Sequence, residues 1–196
     1  MPVYLPDNED GDVLTKELAA SEMETCDPMV NPRVPEETRV EKVHGRYLLF
    51  TVKDGPSKIE DGLPVGYSHT PAGAATALYN ASAVLTPVNA DGSPDSTSQA
   101  AANKLYEPKL GDLPSGDQVY SLKDAGFPFY FRVLGCNSEV VTVEYGVGYR
   151  SGEVVATIRS QAVWRDGDWK FNVMAPTDGE AATKEDVVGW ASWKIG

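Results

Sequence analysis

The stretch that decides the fold runs from Phe127 to Met174 and reads FPFYFRVLGCNSEVVTVEYGVGYRSGEVVATIRSQAVWRDGDWKFNVM. Apolar and polar residues alternate along most of it. This pattern is typical of β-strands with one apolar face, because successive side chains of a strand point to opposite sides. The alternating runs lie at 127–135, 139–150, 153–165 and 169–173. Together they predict an antiparallel meander.

The turns between these runs support the same prediction. Asp166-Gly167 separates the last two runs, and an Asp-Gly pair suits a type I′ hairpin turn because both central residues need a positive φ angle. Ser151-Gly152 is a second two-residue turn. Gly146 and Gly148 lie inside a strand on its less apolar face, where glycine marks a bulge or a bend. We therefore expect a strongly curved antiparallel sheet with helices packed on one face, and a second face that is solvated or meets a partner.

The clearest helix start in the sequence is at Thr70-Pro71. Threonine caps a helix through its hydroxyl, and proline fits the first helical position because its missing N–H would have no partner there. The alanine-rich run that follows predicts a helix to about Leu85, suited to close packing on a sheet. Ser96 or Ser98 is expected to cap a second helix.

The rest of the chain divides into an arm and one domain. Residues 1–40 are acidic and interrupted by prolines, which push the preceding residue out of the helical region, so a flexible or extended N-terminal arm is expected. Residues 41–196 are expected to form a single α+β domain. Within it we expect a strand at 46–52, a loop at 58–66 and a short strand at 118–122.

Thr183 is expected to cap a short C-terminal helix, and the aromatic tail with Trp190 and Trp193 is expected to close the domain's own core as a flap.

Strand alternation also predicts the core. The residues expected to be largely buried are Leu78, Tyr79, Phe129, Phe131, Val143, Tyr145, Ile158, Trp164, Trp169 and Phe171.

The charge balance excludes some function classes. Lys and Arg number 17 and Asp and Glu 29, so the formal net charge is −12. Binding a nucleic-acid backbone or an anionic membrane needs clustered basic residues, so neither partner is expected. No apolar run is long enough to span a bilayer, so the chain as given is expected to be soluble, with an anchor upstream as the alternative.

The two cysteines are Cys26 and Cys136, too few for a disulfide framework or a zinc site. Two interpretations stay open from the residues alone. They are either unrelated thiols or the two ends of a single disulfide. A disulfide would place the protein in an oxidising compartment.

Gly55-Pro56 and the segment Gly66–Ala74 carry a resemblance. The segment reads GYSHTPAGA and stands ahead of an alanine-rich helix. It resembles the G-(Y/F)-x-(H/R)-T-P-x-G-A segment of an uncharacterised actinobacterial family associated with mobile elements. The order helix, helix, meander resembles the cystatin-like folds grouped around nuclear transport factor 2, and covers roughly residues 43–175.

This resemblance implies a nuclear-transport-factor-2-like fold and a scaffold or accessory role in a conjugative secretion system. It also implies a domain outside the cytoplasm, held by a membrane anchor in a segment not present here. It brings no catalytic residues.

Chemistry-bearing motifs are sparse. The sequence has no phosphate loop, His-Glu-x-x-His, Cys-x-x-Cys or nucleophile elbow, so no catalytic residue, metal site or cofactor is predicted. His44 and His69 stand alone, and His69 is expected to fix the loop before the helix by a hydrogen bond to backbone. The weak binding-site candidates are His69, Tyr79 and Tyr145.

Two classes of function follow. The first is a non-catalytic protein-interaction or assembly module, with a protein partner or self-association through the uncovered sheet face. The alternative is a small-ligand-binding protein or an enzyme of the ketosteroid-isomerase kind, which would place a carboxylate base in the apolar cone between helix and sheet. The inward-facing strand positions carry almost no carboxylate, so the module is the favoured hypothesis and catalysis the less favoured one.

Overall fold

A computed structural model of the chain describes residues 38–86, 88–89, 93–113, 127–148 and 153–193. The protein is α+β, with a mainly antiparallel sheet and two α-helices in the part described. Its elements in chain order are β1 (Arg39–Val43), β2 (Arg46–Phe50), β3 (Lys58–Glu60), β4 (Leu63–Val65), α1 (Pro71–Leu85), α2 (Ser96–Lys104), β5 (Tyr106–Glu107), β6 (Phe127–Cys136), β7 (Val140–Gly148), β8 (Val154–Arg165), β9 (Asp168–Asn172), β10 (Gly179–Ala181), a 3-10 helix (Lys184–Val187) and β11 (Ala191–Ser192).

The predicted meander is confirmed. Strands β6, β7, β8 and β9 are antiparallel neighbours in that order. Asp166 and Gly167 join β8 to β9 with φ angles of 55° and 79°, as a type I′ turn requires. The turn expected at Ser151-Gly152 lies outside the described residues.

Strand β8 lies inside the sheet, because both of its edges pair with other strands along much of its 12 residues. One edge pairs with β7. The other edge pairs with β9 near its C-terminal end and with β10 at 156–158. Two-residue strands extend the sheet at its sides, β11 beside β6 and β5 parallel to β9. The sequence pattern did not predict these short strands, since two residues are too few to show alternation.

Glycines in β7 stand where the sheet is irregular and crowded. The pairing of β7 with β8 shifts register between Val147 and Gly148. A Cβ on Gly148 would lie 1.8 Å from the carbonyl oxygen of Glu153, so only glycine fits there. A Cβ on Gly146 would lie 2.8 Å from Val187 Cγ1. The bulge expected from these glycines is therefore present, and Gly146 also makes room for the C-terminal segment.

Helix α1 packs on the apolar face of the sheet, here called the inner face. It contacts β2 as well as the strands of the meander, from β6 to β9. The core between helix and sheet contains most of the predicted set. Leu78, Phe131, Val143, Tyr145 and Trp169 are buried. The partly buried members are Tyr79, Ile158, Trp164 and Phe171. The side chain of Phe129 lies outside the described residues.

The opposite face of the sheet, the outer face, is only partly open, which corrects the expectation of an uncovered face. After β10 the chain turns into the 3-10 helix, and Val187 packs against Gly146 on that face. The ring of Trp190 then lies under the Arg132 guanidinium at 4.4 Å. The C-terminal segment can lie this close to β7 because Gly146, which has no side chain, leaves space for the Val187 side chain.

Trp193 confirms the predicted aromatic flap. Strand β11 pairs with the edge of β6, and the following Trp193 passes around that edge into the inner core. Its ring lies 4.2 Å from the Phe131 ring and 6.0 Å from the Tyr145 ring, centroid to centroid. Its Nε1 donates to Thr76 Oγ1 at 3.4 Å. The C-terminal segment thus ties the outer face to the core.

Several local expectations need correction. Residues 58–66, expected as a loop, contain the β3–β4 hairpin, with Asp61 and Gly62 at φ angles of 52° and 79°. The second helix is capped by Asp95 rather than by Ser96 or Ser98, because a carboxylate accepts both Thr97 and Ser98 N–H groups. The C-terminal helix after Thr183 is a single 3-10 turn.

The expected arm lies almost wholly outside the described residues, as does the strand expected at 118–122. Its last residues belong to β1, which pairs with β2 through a turn at His44-Gly45, so residues from Arg39 onward are part of the folded unit. Val40 is buried in the core beside α1. Among the described helices, none combines the length and hydropathy needed to cross a membrane.

Replacing Trp193 by Ala should destabilise the fold by about 3 to 5 kcal/mol, since it empties a buried aromatic site. Trp190→Ala is the matched control and should cost about 1 kcal/mol, because its contact is a surface cation–π pair. Urea unfolding of both variants gives the two values. Equal costs would show that Trp193 does not anchor the segment in the core.

Candidate functional site

The Gly66–Ala74 segment, which carries the resemblance, is held at its start by Asp168. The carboxylate accepts from Gly66 N–H at 2.8 Å and from Tyr67 N–H at 3.1 Å, and it also accepts from Trp169 N–H at 2.9 Å. Gly66 has a φ angle of 78°, which favours glycine. Burial raises the pKa of the Asp168 carboxyl, although these N–H groups act in the opposite direction.

The middle of the segment is held by Asp54, which is fully buried. Its Oδ1 accepts from the Ser68 hydroxyl at 2.9 Å and from the Thr70 hydroxyl at 3.0 Å, and the two hydroxyl oxygens are 2.7 Å apart. Its backbone oxygen also accepts from Ser68 N–H. A buried carboxylate is costly unless it is hydrogen-bonded, so this cluster orders the loop before α1.

The first turn of α1 depends on the same residues. Thr70 caps the helix as predicted, because its Oγ1 accepts from Gly73 N–H at 3.0 Å. A Cβ on Gly73 would lie 2.2 Å from the carbonyl oxygen of Ser68. The close approach that requires glycine is therefore between the helix and the preceding loop.

His69, one of the three candidate residues, makes the backbone contact expected of it. Its Nε2 lies 2.5 Å from the carbonyl oxygen of Ser138 in the β6–β7 turn. Its ring stacks on Trp164 at 4.0 Å between centroids and meets Trp169 edge-on at 5.4 Å. The Trp169 Nε1 donates to the Ser68 carbonyl at 2.9 Å. His69 therefore joins the loop before α1 to the end of the sheet.

The other two candidates, Tyr79 and Tyr145, lie in apolar surroundings. The Tyr145 hydroxyl donates to the Ala75 carbonyl oxygen at 2.7 Å, and burial raises its pKa well above the ordinary value. Tyr79 is partly exposed but packs against the core, and desolvation raises the pKa of its hydroxyl as well. Both surroundings favour the neutral, protonated form of the phenol.

Sequence analysis missed the contacts that Asn80 makes. This residue of α1 is fully buried, accepts from Leu49 N–H and donates to the Leu49 carbonyl oxygen and the Tyr67 hydroxyl. It therefore connects α1 to β2 and to the Gly66–Ala74 segment. Asn80 also begins an Asn-x-Ser sequon, but its amide is already used in these bonds.

The outer face carries the arrangement best suited to meeting another molecule. Arg132 of β6, Glu144 of β7 and Arg159 of β8 are cross-strand neighbours, and we call them the arginine row. Arg132 Nε and Nη2 lie 2.7 and 2.6 Å from Glu144 Oε2. Arg159 Nη2 lies 3.9 Å from Glu144 Oε1. Both arginine side chains are almost half exposed, at 45% and 46%, while that of Glu144 is 12% exposed.

A second polar row lies beside the arginine row, two residues along the strands. Asn172 Nδ2 donates to Gln161 Oε1 at 2.6 Å, and Gln161 Nε2 donates to Thr142 Oγ1 at 3.0 Å. Alternation alone places these side chains on the outer face, but sequence analysis did not single them out. Their grouping depends on strand register, which the alternation pattern does not define across strands.

Among the described residues, no group of three or more His, Cys, Asp or Glu side chains is arranged to hold a metal ion. Asp54 and Asp168 each accept hydrogen bonds from hydroxyl or backbone N–H groups of the Gly66–Ala74 segment. These hydrogen bonds hold the segment in place.

Thr70→Ala should destabilise the protein by about 2 to 4 kcal/mol, because it removes a helix cap and a buried partner of Asp54. Thr70→Ser keeps the hydroxyl and should cost about 1 kcal/mol or less. Chemical denaturation of both variants tests this. A Thr70→Ala variant as stable as Thr70→Ser would show that the buried cluster contributes little.

The raised pKa of Asp168 predicts a pH dependence. The carboxyl ordinarily titrates at 3.8. Because the folded state holds the proton more tightly than the unfolded state, Asp168 contributes stability that is fully present below that value. This stability is lost as the pH rises through the higher folded pKa.

The check is the free energy of unfolding of the wild type minus that of Asp168→Asn, measured from about pH 3 to about pH 7. The difference should fall as the pH rises. A rising difference would mean that the three N–H donors outweigh burial and lower this pKa.

Comparison with known proteins gives one family. No curated protein matches the chain, and no solved structure matches it. A family model described as a domain of unknown function, DUF8175, matches residues 5–192, which is nearly the whole chain. The chain therefore belongs to the DUF8175 family.

Proposed function

We propose that this protein is a non-catalytic protein-binding or assembly module that works outside the cytoplasm and binds its partner through the outer face of the sheet. The observation that carries the proposal is the arginine row, with two almost half-exposed arginine side chains at the border of the open part of that face. Exposed polar side chains held in register by a rigid sheet are pre-organised for recognition, which lowers the cost of binding.

The inner side of the domain supports the same function. Tyr145 donates to a helix carbonyl, Trp193 fills the space beside it, and Asn80 joins α1 to β2. These groups occupy the region where a ketosteroid-isomerase-like enzyme would hold its substrate. Asp54 and Asp168 are engaged in ordering a loop. The geometry therefore favours binding at the outer face over chemistry in the cone.

The cysteines support a location outside the cytoplasm. Cys136 is disulfide-bonded. The chain has one other cysteine, so an intrachain bridge has Cys26 as its partner, a residue outside the described range. Structural disulfides persist in oxidising compartments and are rare in the cytosol. An exported domain fits this chemistry.

The fold order supports a scaffold role in a conjugative or mobile-element secretion system. Two helices are followed by a long antiparallel meander, which is the arrangement of nuclear-transport-factor-2-like folds. The resemblance of the Gly66–Ala74 segment points to the same setting. Because fold alone does not define function, identifying the partner tests this setting.

Site-specific photo-cross-linking in cells that naturally produce the protein tests the proposal. A photoreactive residue in place of Gln161, on the outer face, should give one discrete protein adduct that excess unlabelled protein competes away. The matched control replaces Asp61, whose side chain is 80% exposed in the β3–β4 turn. It should give no such adduct, because the β3–β4 hairpin is a separate two-stranded sheet, and its strand β4 packs with the helices.

Two results would contradict the proposal. The first is equal capture from both positions, which would mean non-specific contact. The second is no capture from Gln161 together with a thermal shift caused by a small molecule and abolished in Tyr145→Phe, which would favour ligand binding in the cone.

A further inference from the structure

Strand β10 pairs with β8 along one edge, and no other described strand pairs with its second edge. Arg159 N–H donates to the Asp178 carbonyl oxygen at 2.8 Å. Residues that bond to the neighbouring strand alternate along an antiparallel pair, so the peptide groups of Gly179 and Ala181 point away from β8. All three residues of β10 are exposed. An edge of this kind offers N–H and C=O groups to which another strand can add.

A row of alternating charges on the outer face ends at this edge. Arg132 of β6, Glu144 of β7 and Arg159 of β8 are cross-strand neighbours. Asp178, directly before β10, lies opposite Arg159. The charges therefore alternate in sign across the sheet, and the last one is negative. Because opposite charges on neighbouring strands stabilise pairing, the matching position of an added strand favours a cation.

Glu180 gives the edge a second carboxylate. It lies two residues after Asp178 and therefore on the same face of the sheet. Both residues are exposed, and within the described ranges neither forms an ion pair. Other strand carboxylates do have an arginine or lysine partner, as at Glu41, Glu60 and Glu144. Two unpaired carboxylates at alternate positions match a strand that carries basic residues at alternate positions.

The inner side of the same edge is apolar. Gly179 and Ala181 alternate with the carboxylates and are in register with Ile158 and Ala156 of β8, which are partly buried. The residues of an added strand that lie between its basic positions would face this side. Apolar side chains suit them, so the edge matches a strand in which basic and apolar residues alternate.

We propose that the open edge of β10 receives an extended segment of the partner protein as an added strand, with basic residues facing Asp178 and Glu180 and apolar residues between them. This inference rests on the proposed function and names the chemistry of its partner. The net charge of −12 attracts a basic segment. The same carboxylates disfavour a second copy of this chain, because pairing two β10 strands would bring like charges together.

The probe is the peptide Lys-Val-Lys-Val-Lys-Val, titrated into the isotope-labelled full chain and followed by NMR. The amide shifts of Gly179 and Ala181 should saturate. Exchange of these two amide hydrogens with solvent should slow, because the added strand accepts hydrogen bonds from them. Added salt should weaken binding. A peptide with glutamine in place of lysine should bind at least about threefold more weakly, since the cross-strand charge pairs are lost.

Two variants test the backbone and the charge separately. Ala181→Pro removes an N–H that points away from β8, and it should raise the dissociation constant about tenfold. Glu180→Gln should raise it about threefold. Glu139→Gln is the matched control, because its side chain is 69% exposed at the far end of the sheet, and it should change binding by less than about twofold. The amide spectrum verifies folding, and the exchange rates of the wild type decide alone if the proline variant is disturbed.

Four results would overturn the inference: unchanged exchange at Gly179 and Ala181, equal binding of the glutamine peptide, equal weakening by Glu180→Gln and Glu139→Gln, or concentration-dependent shifts at the two amides without peptide, which would mean self-pairing. If the lysine peptide fails while cross-linking from Gln161 still captures a partner, the edge assignment is wrong and the proposed function stands. If both fail, the outer face is not the binding surface.

Discussion

The buried carboxylate of Asp54 is the constraint on which the helix side of this domain depends. A carboxylate buried away from solvent needs hydrogen-bond donors around it, and the hydroxyls of Ser68 and Thr70 donate to Asp54 within 3.0 Å. Because Thr70 is also the cap of α1, the same hydroxyl group stabilises the Asp54 carboxylate and the start of the helix. Asp168 and Trp169 hold the same loop from the sheet. The position of α1 on the inner face follows from these contacts as much as from apolar burial.

The C-terminal segment imposes the second constraint, because it touches both faces of the sheet. It passes over the outer face at Gly146, places Trp190 under Arg132, and ends with Trp193 in the inner core. The outer face is therefore divided into a covered part and an open part. The arginine row lies at their border, so the segment that completes the core also determines which polar side chains meet the solvent.

Sequence patterns predicted the elements that depend on interactions between residues close together in the sequence. Alternation over long strands gave the meander and most of its core, and Thr70-Pro71 gave the start of α1, because strand parity and helix capping depend on neighbouring residues. The β3–β4 hairpin was missed, although Asp61-Gly62 marks its turn, because three-residue strands show no alternation. The Asp54 cluster and the arginine row were missed for another reason. Each brings together residues far apart in sequence, and only strand register and packing define such meetings.

The two faces of the sheet differ in how their polar side chains are paired. On the inner face, polar groups such as Asn80 and the Tyr145 hydroxyl are hydrogen-bonded to backbone, so their burial carries little penalty. On the outer face, Glu144 is satisfied by Arg132, and the second arginine remains open to solvent. Arg159 adds little to stability through Glu144, because an exposed ion contact at 3.9 Å is worth well under about 1 kcal/mol.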